Sequence, residues 1–180
     1  MSAGKLIGNR IMVWNISEAQ QLYKMGFFGK PLGVHKPKNW EFNTPIVLDV
    51  MEGLYLTERK LLIISDSKGK KISVEEMLNI CRKDYVDFDE KYVVYKDLRD
   101  RGYIILTGMK FGCDFAVYEN GPGIDHAPYL IQVMSGKDTI SATYLVLSGR
   151  LATTVRKQFI IAIVGQNTYL RYLAFEWWKA

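Results

Sequence analysis

Three residues in the second half of the chain can do chemistry together. Tyr118 ends the run "CDFAVYE", His126 sits in the Gly/Pro-rich stretch "NGPGIDHAPYL", and Lys157 closes "GRLATTVRK" before an apolar run. His126 is one of only 2 histidines in the chain, and it stands in a turn-rich loop instead of a periodic apolar segment. A tyrosine, a histidine and a lysine form a set able to cleave RNA without a metal. A base takes the proton of the ribose 2′-hydroxyl and an acid gives one to the departing 5′-oxygen. A fixed cation offsets the charge on the pentacoordinate phosphate. Histidine suits proton transfer near neutral pH. Tyrosine, with an ordinary pKa of about 10, needs nearby cations to lower it. Spacing alone leaves other readings open: an ordinary strand aromatic, a loop hydrogen-bonder and a helix-end cation.

The elements that must position these residues are legible in outline. "KYVVYKDLRDRG" reads as a helix stopped by Gly102, and "YIILTG", "CDFAVYE" and "YLIQVM" read as three strands. "TISATYLVLSGRLATTVRK" reads as a second helix that turns Leu145, Val146 and Leu151 inward. "QFIIAIVG" is a run of β-branched residues, hence a buried central strand, and "TYLRYLAFEWW" is a closing strand. The order αβββαββ predicts a mixed sheet flanked by helices.

The first half differs. "NRIMVW" is a short strand, and "SEAQQLYKMG" a short helix with Ser17 as N-cap and Gly26 as stop. "GVHKPKNWEFNTP" is a polar loop holding His35, Lys36 and Lys38, whose default role is solvation. In "PIVLDVMEGLYL", Val47, Val50, Met51 and Leu54 fall on one helical face. "KLLIISDSKGKKIS" is a strand ending in a turn. "SVEEMLNICRKD" opens with a capping box, Ser73 and Glu76, and carries a Val74–Met77–Leu78–Cys81 stripe. The acidic stretch "DYVDFDEKY" marks a boundary, giving a small mixed α/β domain over 1–84 and a second domain over 85–180. The fold class is therefore α/β of the α+β type.

Composition narrows the function classes. A hydrophobic fraction of 48% over 180 residues supports a real core. The net charge of +5 weakly favours a polyanionic partner. Charge is segregated locally. No acidic residue lies between Asp138 and Glu176, where Arg150, Arg156, Lys157 and Arg171 fall. Two cysteines, Cys81 and Cys113, make no disulfide framework and fit a reducing, cytoplasmic setting. No apolar run is long enough to span a bilayer, so no membrane partner is expected.

At the reactive residues the sequence resembles a known family. "YVVYKDLRDRGYIILTGMKFGCDFAVYENG", "HAPYLIQV" and "GRLATTVRKQFIIAIV" resemble the catalytic domain of archaeal tRNA-splicing endonuclease in wording, order and spacing. The resemblance covers essentially residues 88–175, whereas 1–84 matches the family's small N-terminal domain only in size and pattern. It implies a nuclease-like catalytic domain acting on precursor tRNA at bulge-helix-bulge sites. Tyr118 would be the general base, His126 the general acid and Lys157 the transition-state cation. It implies no cofactor and no metal, and products with 2′,3′-cyclic phosphate and 5′-hydroxyl ends. Two family arginines sandwich a bulged base; Arg150 matches one by position, and Arg171 is the choice for the second.

One departure bears on assembly. Homotetrameric relatives carry acids in the loop after the "IAIV" strand, and here that loop is "GQNTY", without a carboxylate. The resemblance therefore points to the catalytic subunit of a heterotetramer with a non-catalytic paralogous partner, the chain alone forming a homodimer. Apolar residues of "YLAFEWW" (Phe175, Trp177 and Trp178) offer a pairing surface, or else pack on the N-terminal domain. Two other readings remain: a non-catalytic RNA-binding or structural subunit, and a metal-dependent nuclease on a similar sheet. The latter would use Asp114, but "YLIQV" supplies no Glu/Lys pair to complete a Mg²⁺ site.

Overall fold

The computed structural model describes residues 1–34, 37 and 39–175. The chain divides into two compact units, Met1–Phe88 and Asp89–Ala180. The first begins with a hairpin of β1 (Ser2–Ile7) and β2 (Arg10–Val13), followed by α1 (Ile16–Gly26). After β3 (Lys30–Pro31) come β4 (Ile46–Asp49), α2 (Val50–Glu58), β5 (Leu62–Ser65) and α3 (Val74–Asp84). The sheet order is β3-β4-β2-β1-β5, with only β1 and β5 parallel.

Two local expectations need correction here. The cap of α1 is Asn15, whose side chain accepts from the Glu18 N–H at 3.1 Å, while Ser17 donates its hydroxyl to that same oxygen at 2.7 Å. The run "IVLDV" is not one helical face. Ile46–Asp49 pairs antiparallel with β2, so Val47 is a strand residue. Asp49 then starts α2 through a capping box with Glu52, which stops the helix from extending backwards. The Ser73/Glu76 box of α3 forms as its sequence predicts, and Met77 and Cys81 are buried.

The second unit follows the order read from its sequence. It contains α4 (Phe88–Asp100), β6 (Ile104–Thr107), β7 (Phe115–Tyr118), β8 (Tyr129–Ser135), α5 (Ala142–Thr154), β9 (Gln158–Val164) and β10 (Leu170–Phe175). The sheet order is β10-β9-β8-β7-β6. All pairs are antiparallel except β8 and β9, which α5 joins as a crossover. Both units thus mix helices with a mixed sheet.

Alternation along the strands gives each face its own helix. On one face Tyr95 of α4 packs against Phe115, their ring centroids 6.1 Å apart. There too Tyr172 donates its hydroxyl to Asp97 at 2.6 Å. On the other face Ala116, Leu130, Phe159 and Ile161 form a core with Ala152 of α5. Leu145 packs against that core, but Val146 and Leu151 are each 43% exposed and Leu147 is 60% exposed. The inward stripe of α5 is Tyr144, Leu145, Ala152 and Val155. The small Ala152 lets the helix backbone approach the sheet, which turns the branched residues outward.

Candidate active site

Strand register gathers the three candidate residues. Val117 pairs with Tyr129, and Tyr129 pairs with Gln158. The next row therefore holds Tyr118 at the end of β7, Pro128 before β8 and Lys157 before β9. The Gln158 N–H donates to the Pro128 carbonyl at 2.8 Å and extends the ladder to this edge. Neighbouring strands lie about 4.8 Å apart, so this row spans about 10 Å. His126 is two residues upstream of Pro128. Tyr118 shares the face of Ala116 and packs against the core beneath α5. The structure thus brings the backbones carrying Tyr118, His126 and Lys157 to one end of one sheet.

Lys157 is aimed by the way α5 ends. The Lys157 N–H reaches back to the Ala152 carbonyl at 2.8 Å, and the Arg156 N–H to that of Thr153 at 3.0 Å. This is a Schellman turn, which reverses the chain at a left-handed residue. That residue is Arg156, with φ +55°. The Lys157 ammonium donates to the Ala127 carbonyl at 2.5 Å, the residue next to His126. It also lies 5.4 Å from the centre of the Phe111 ring. Burial lowers its pKa from the usual lysine value. Phe111 comes from the tight turn between β6 and β7. There a side chain on Gly108 would stand 2.6 Å from the Cys113 sulfur and 2.7 Å from the Cys113 carbonyl oxygen.

The loop before β8 is pinned by Asp125. Its carboxylate accepts the Asn120 N–H at 2.9 Å, the Asn120 side-chain amide at 3.1 Å and the Gly121 N–H at 3.0 Å. Gly121, at φ +126°, makes the turn that closes the ring. Burial works to raise the Asp125 pKa, but the N–H groups of Asn120 and Gly121 outweigh it and hold the carboxyl below the usual range. His126 follows directly, its side chain exposed and without a hydrogen bond or ion pair among the described residues. Ala127 beyond it is buried. Tyr118 is pushed up by burial and then by the Asp125 charge. This is the opposite of the cation-lowered tyrosine that the residue types predict.

Other expected site residues lie apart. Arg150 is exposed on α5, one turn before the helix ends at Thr154. Arg171 is exposed on β10 opposite Ile163, with its guanidinium 5.1 Å from the Tyr169 ring centre. From Lys157 to the level of Ile163 is six residues of β9, or about 20 Å. Asp114 accepts from Lys91 at 3.0 Å, Gln132 at 2.7 Å and the Val133 N–H at 2.8 Å, so its oxygens serve the fold. Among the described residues, no three His, Cys, Asp or Glu side chains converge as a metal set. Phe175 is 37% exposed on the edge strand. His35, Lys36, Lys38, Trp177 and Trp178 lie outside the described residues.

Sequence reasoning did not single out Asp125, Phe111 or the Ala127 carbonyl. The signal for Asp125 was present in "NGPGID", where an Asn and an Asp flank two glycines and a proline, a pattern that favours side-chain-closed turns. Nothing in the sequence announces a lysine resting on a backbone carbonyl.

Comparisons with known proteins identify the family. Residues 88–172 match the family model described as tRNA intron endonuclease, catalytic C-terminal domain. Residues 2–78 match that of the tRNA intron endonuclease N-terminal domain. The chain is similar to a tRNA-splicing endonuclease of Hyperthermus butylicus, 45% identical over 175 residues and 97% of each chain. It is similar to one of Sulfurisphaera tokodaii, 40% identical over 179 residues and 98% of each. One of Sulfolobus acidocaldarius is 36% identical over 182 residues and 99% of each. Among the described residues, no helix is long and apolar enough to cross a membrane.

Proposed function

The chain belongs to the tRNA intron endonuclease family, and from that premise we propose how its own residues cut RNA. The family is one of endonucleases that excise introns from precursor tRNA, which is the substrate here. The observation that carries the mechanistic reading is the single row at the sheet end, with Lys157 held 2.5 Å from the carbonyl next to His126.

In this reading the Tyr118 phenolate accepts the proton of the 2′-hydroxyl as the 2′-oxygen bonds to phosphorus. The bond from phosphorus to the 5′-oxygen breaks, and His126 gives that oxygen a proton. Lys157 offsets the charge on the non-bridging oxygens; an ammonium has three donors, and the Ala127 carbonyl engages one. No water enters, so the ends are a 2′,3′-cyclic phosphate and a 5′-hydroxyl. The step needs no metal, a reading supported by the engaged oxygens of Asp114. Because burial and Asp125 raise the Tyr118 pKa, the phenolate is a minority form at neutral pH and a strong base once formed.

The substrate element is a bulge-helix-bulge, whose unstacked bases a protein can reach. Arg150 and Arg171 are the stacking arginines of this reading. The separation of Arg171 from Lys157 means that a base it clasps lies well away from this chain's own cut. The chain pairs with a copy of itself through its β10 side and works as a heterotetramer with a non-catalytic paralogous subunit. Free Cys81 and Cys113 support a cytoplasmic setting.

The test is a bulged precursor tRNA carrying a 2′-deoxy nucleotide at the scissile position, incubated in excess EDTA beside the all-ribose substrate. The ribose substrate is cut to cyclic phosphate ends and the deoxy substrate is not. Cutting of the deoxy substrate, or loss of all cutting in EDTA that added Mg²⁺ restores, overturns the mechanism.

A further inference from the structure

Arg156 stands in a conformation that suits it badly. Its φ of +55° places an L side chain in the left-handed region, where Cβ crowds the following carbonyl. The Schellman turn it completes is the position where glycine is usual. The turn is fixed by backbone hydrogen bonds from Arg156 to Thr153 and from Lys157 to Ala152. A local need for glycine has thus been overridden by a large cationic side chain, directly beside the lysine at the sheet end. Phe27, Lys60, Asp87 and Asn167 also have positive φ, so what sets Arg156 apart is its place beside the lysine at the sheet end, where retained strain motivates a functional hypothesis.

The two neighbouring cations are also in different states. The Lys157 ammonium is already bonded to the Ala127 carbonyl and set over Phe111. The Arg156 side chain is exposed and makes no hydrogen bond or ion pair among the described residues. No acidic residue lies between Asp138 and Glu176 to neutralise it from its own stretch of chain. A guanidinium in this position can grip a phosphate with two parallel N–H donors.

We propose that Arg156 is a positioning residue that holds an RNA backbone phosphate next to the scissile one, setting the strand against Tyr118, His126 and Lys157. This rests on the endonuclease reading above. The bland explanation is a cation placed to complement the C-terminal end of the α5 dipole. The two explanations part on RNA binding. If Arg156 serves only the dipole, glycine in its place leaves RNA binding alone, because relief of the left-handed strain and loss of the dipole contact offset each other in stability. If Arg156 holds a phosphate, glycine in its place weakens RNA binding.

The experiment uses the assembly that cuts, and precursor tRNA made uncleavable by 2′-deoxy substitution at the scissile positions. Affinity is measured across a range of KCl concentrations for wild type, Arg156→Gly, Arg156→Asn and Arg156→Lys. Glycine and asparagine both tolerate the left-handed turn, so the second reads the same interaction if the first misfolds. Both neutral variants bind about tenfold more weakly. Their log–log salt slope is shallower by about 0.7 to 0.9, the share of one phosphate. On cleavable RNA their KM rises while kcat at saturation changes little. Arg156→Lys keeps the slope. Neutral variants with the wild-type slope and KM overturn the proposal. A wild-type assembly that neither binds nor cuts the RNA overturns the endonuclease reading, and this inference with it.

Discussion

Removing the Asp125 carboxylate tests whether the loop before β8 is built to serve the site. The carboxylate accepts three N–H groups at 2.9, 3.1 and 3.0 Å, all from Asn120 and Gly121. A hydrogen bond to a charged group contributes about 1.5–3 kcal/mol, less where water competes. Asp125 is only half-buried, so the three together are worth about 2 kcal/mol in Asp125→Ala, and about half that in Asp125→Asn, which keeps one acceptor. At this chain length that is a fall in melting temperature of about 4–8 °C for alanine. Because hydrogen bonding depresses the folded-state pKa of Asp125, its stabilisation is present above the ordinary aspartate pKa. It fades as pH falls through the folded value, so the wild-type advantage over Asp125→Asn shrinks in acid. The loop also carries His126 and the Ala127 carbonyl that Lys157 uses. A misplacement of about 1 Å there lowers kcat by about a hundredfold. Removing the charge also lets the Tyr118 pKa fall toward the ordinary tyrosine value, which ultraviolet titration reads as a downward shift of one phenol. An alanine variant that cuts within about twofold of wild type, a change worth about 0.4 kcal/mol, refutes the view that this loop positions the acid. An unmoved Tyr118 titration refutes the electrostatic link.

Lys157→Ala lowers kcat by about 10²–10³ with a smaller change in KM, measured by single-turnover cleavage, as expected for a group that acts on charge formed in the transition state. Because burial lowers the Lys157 pKa, the pH–rate profile falls on its alkaline side at lower pH than an ordinary lysine would give; a rate undiminished through the usual lysine range argues against Lys157 as the transition-state cation. Gly108→Ala destabilises the fold by about 3 kcal/mol, seen by thermal denaturation, because the added carbon meets the sulfur and carbonyl of Cys113 within 2.7 Å. The proposed assembly predicts that the purified chain alone is a dimer with weak or no splicing activity. Light scattering and a cleavage assay then show a tetramer and restored cutting once a paralogous subunit with acids in the equivalent loop is added.

The sequence was informative where periodicity and punctuation act. The order of α4, β6, β7, β8, α5, β9 and β10 follows from apolar runs broken at Gly102, "GMKFG" and "NGPGID". It failed where pairing decides. Residues "IVLD" have a helix-compatible pattern, yet β2 offers a strand partner and Asp49 caps the helix that follows. Strand β1 has a mixed burial pattern, so its strand character rests on β2 and β5 on either side. On α5, Val146 and Leu151 look more inward than Ala152, but depth against a sheet is set by how close the backbone can come, and alanine permits the closest approach.

The site shows the same division more sharply. Residue types name the reactive groups, because only a few side chains move protons or carry charge. Their alignment comes from register, and register is a property of pairs. Tyr118 and Lys157 share a row only because Val117, Tyr129 and Gln158 are aligned across three strands. Shifting one strand by a single residue sends its side chains to the opposite face. The protonation state of the base lies one step further from the sequence. Residue types predict a Tyr118 eased toward phenolate by cations, but the loop that delivers His126 also brings Asp125, whose charge favours the phenol. In the proposed mechanism the base is therefore held in reserve as the phenol. A phosphate bound by Lys157 and Arg156 would add negative charge and favour the phenol further, so Tyr118 ionises less readily with uncleavable RNA bound than without it. A Tyr118 whose ultraviolet titration moves down when that RNA binds refutes this electrostatic account.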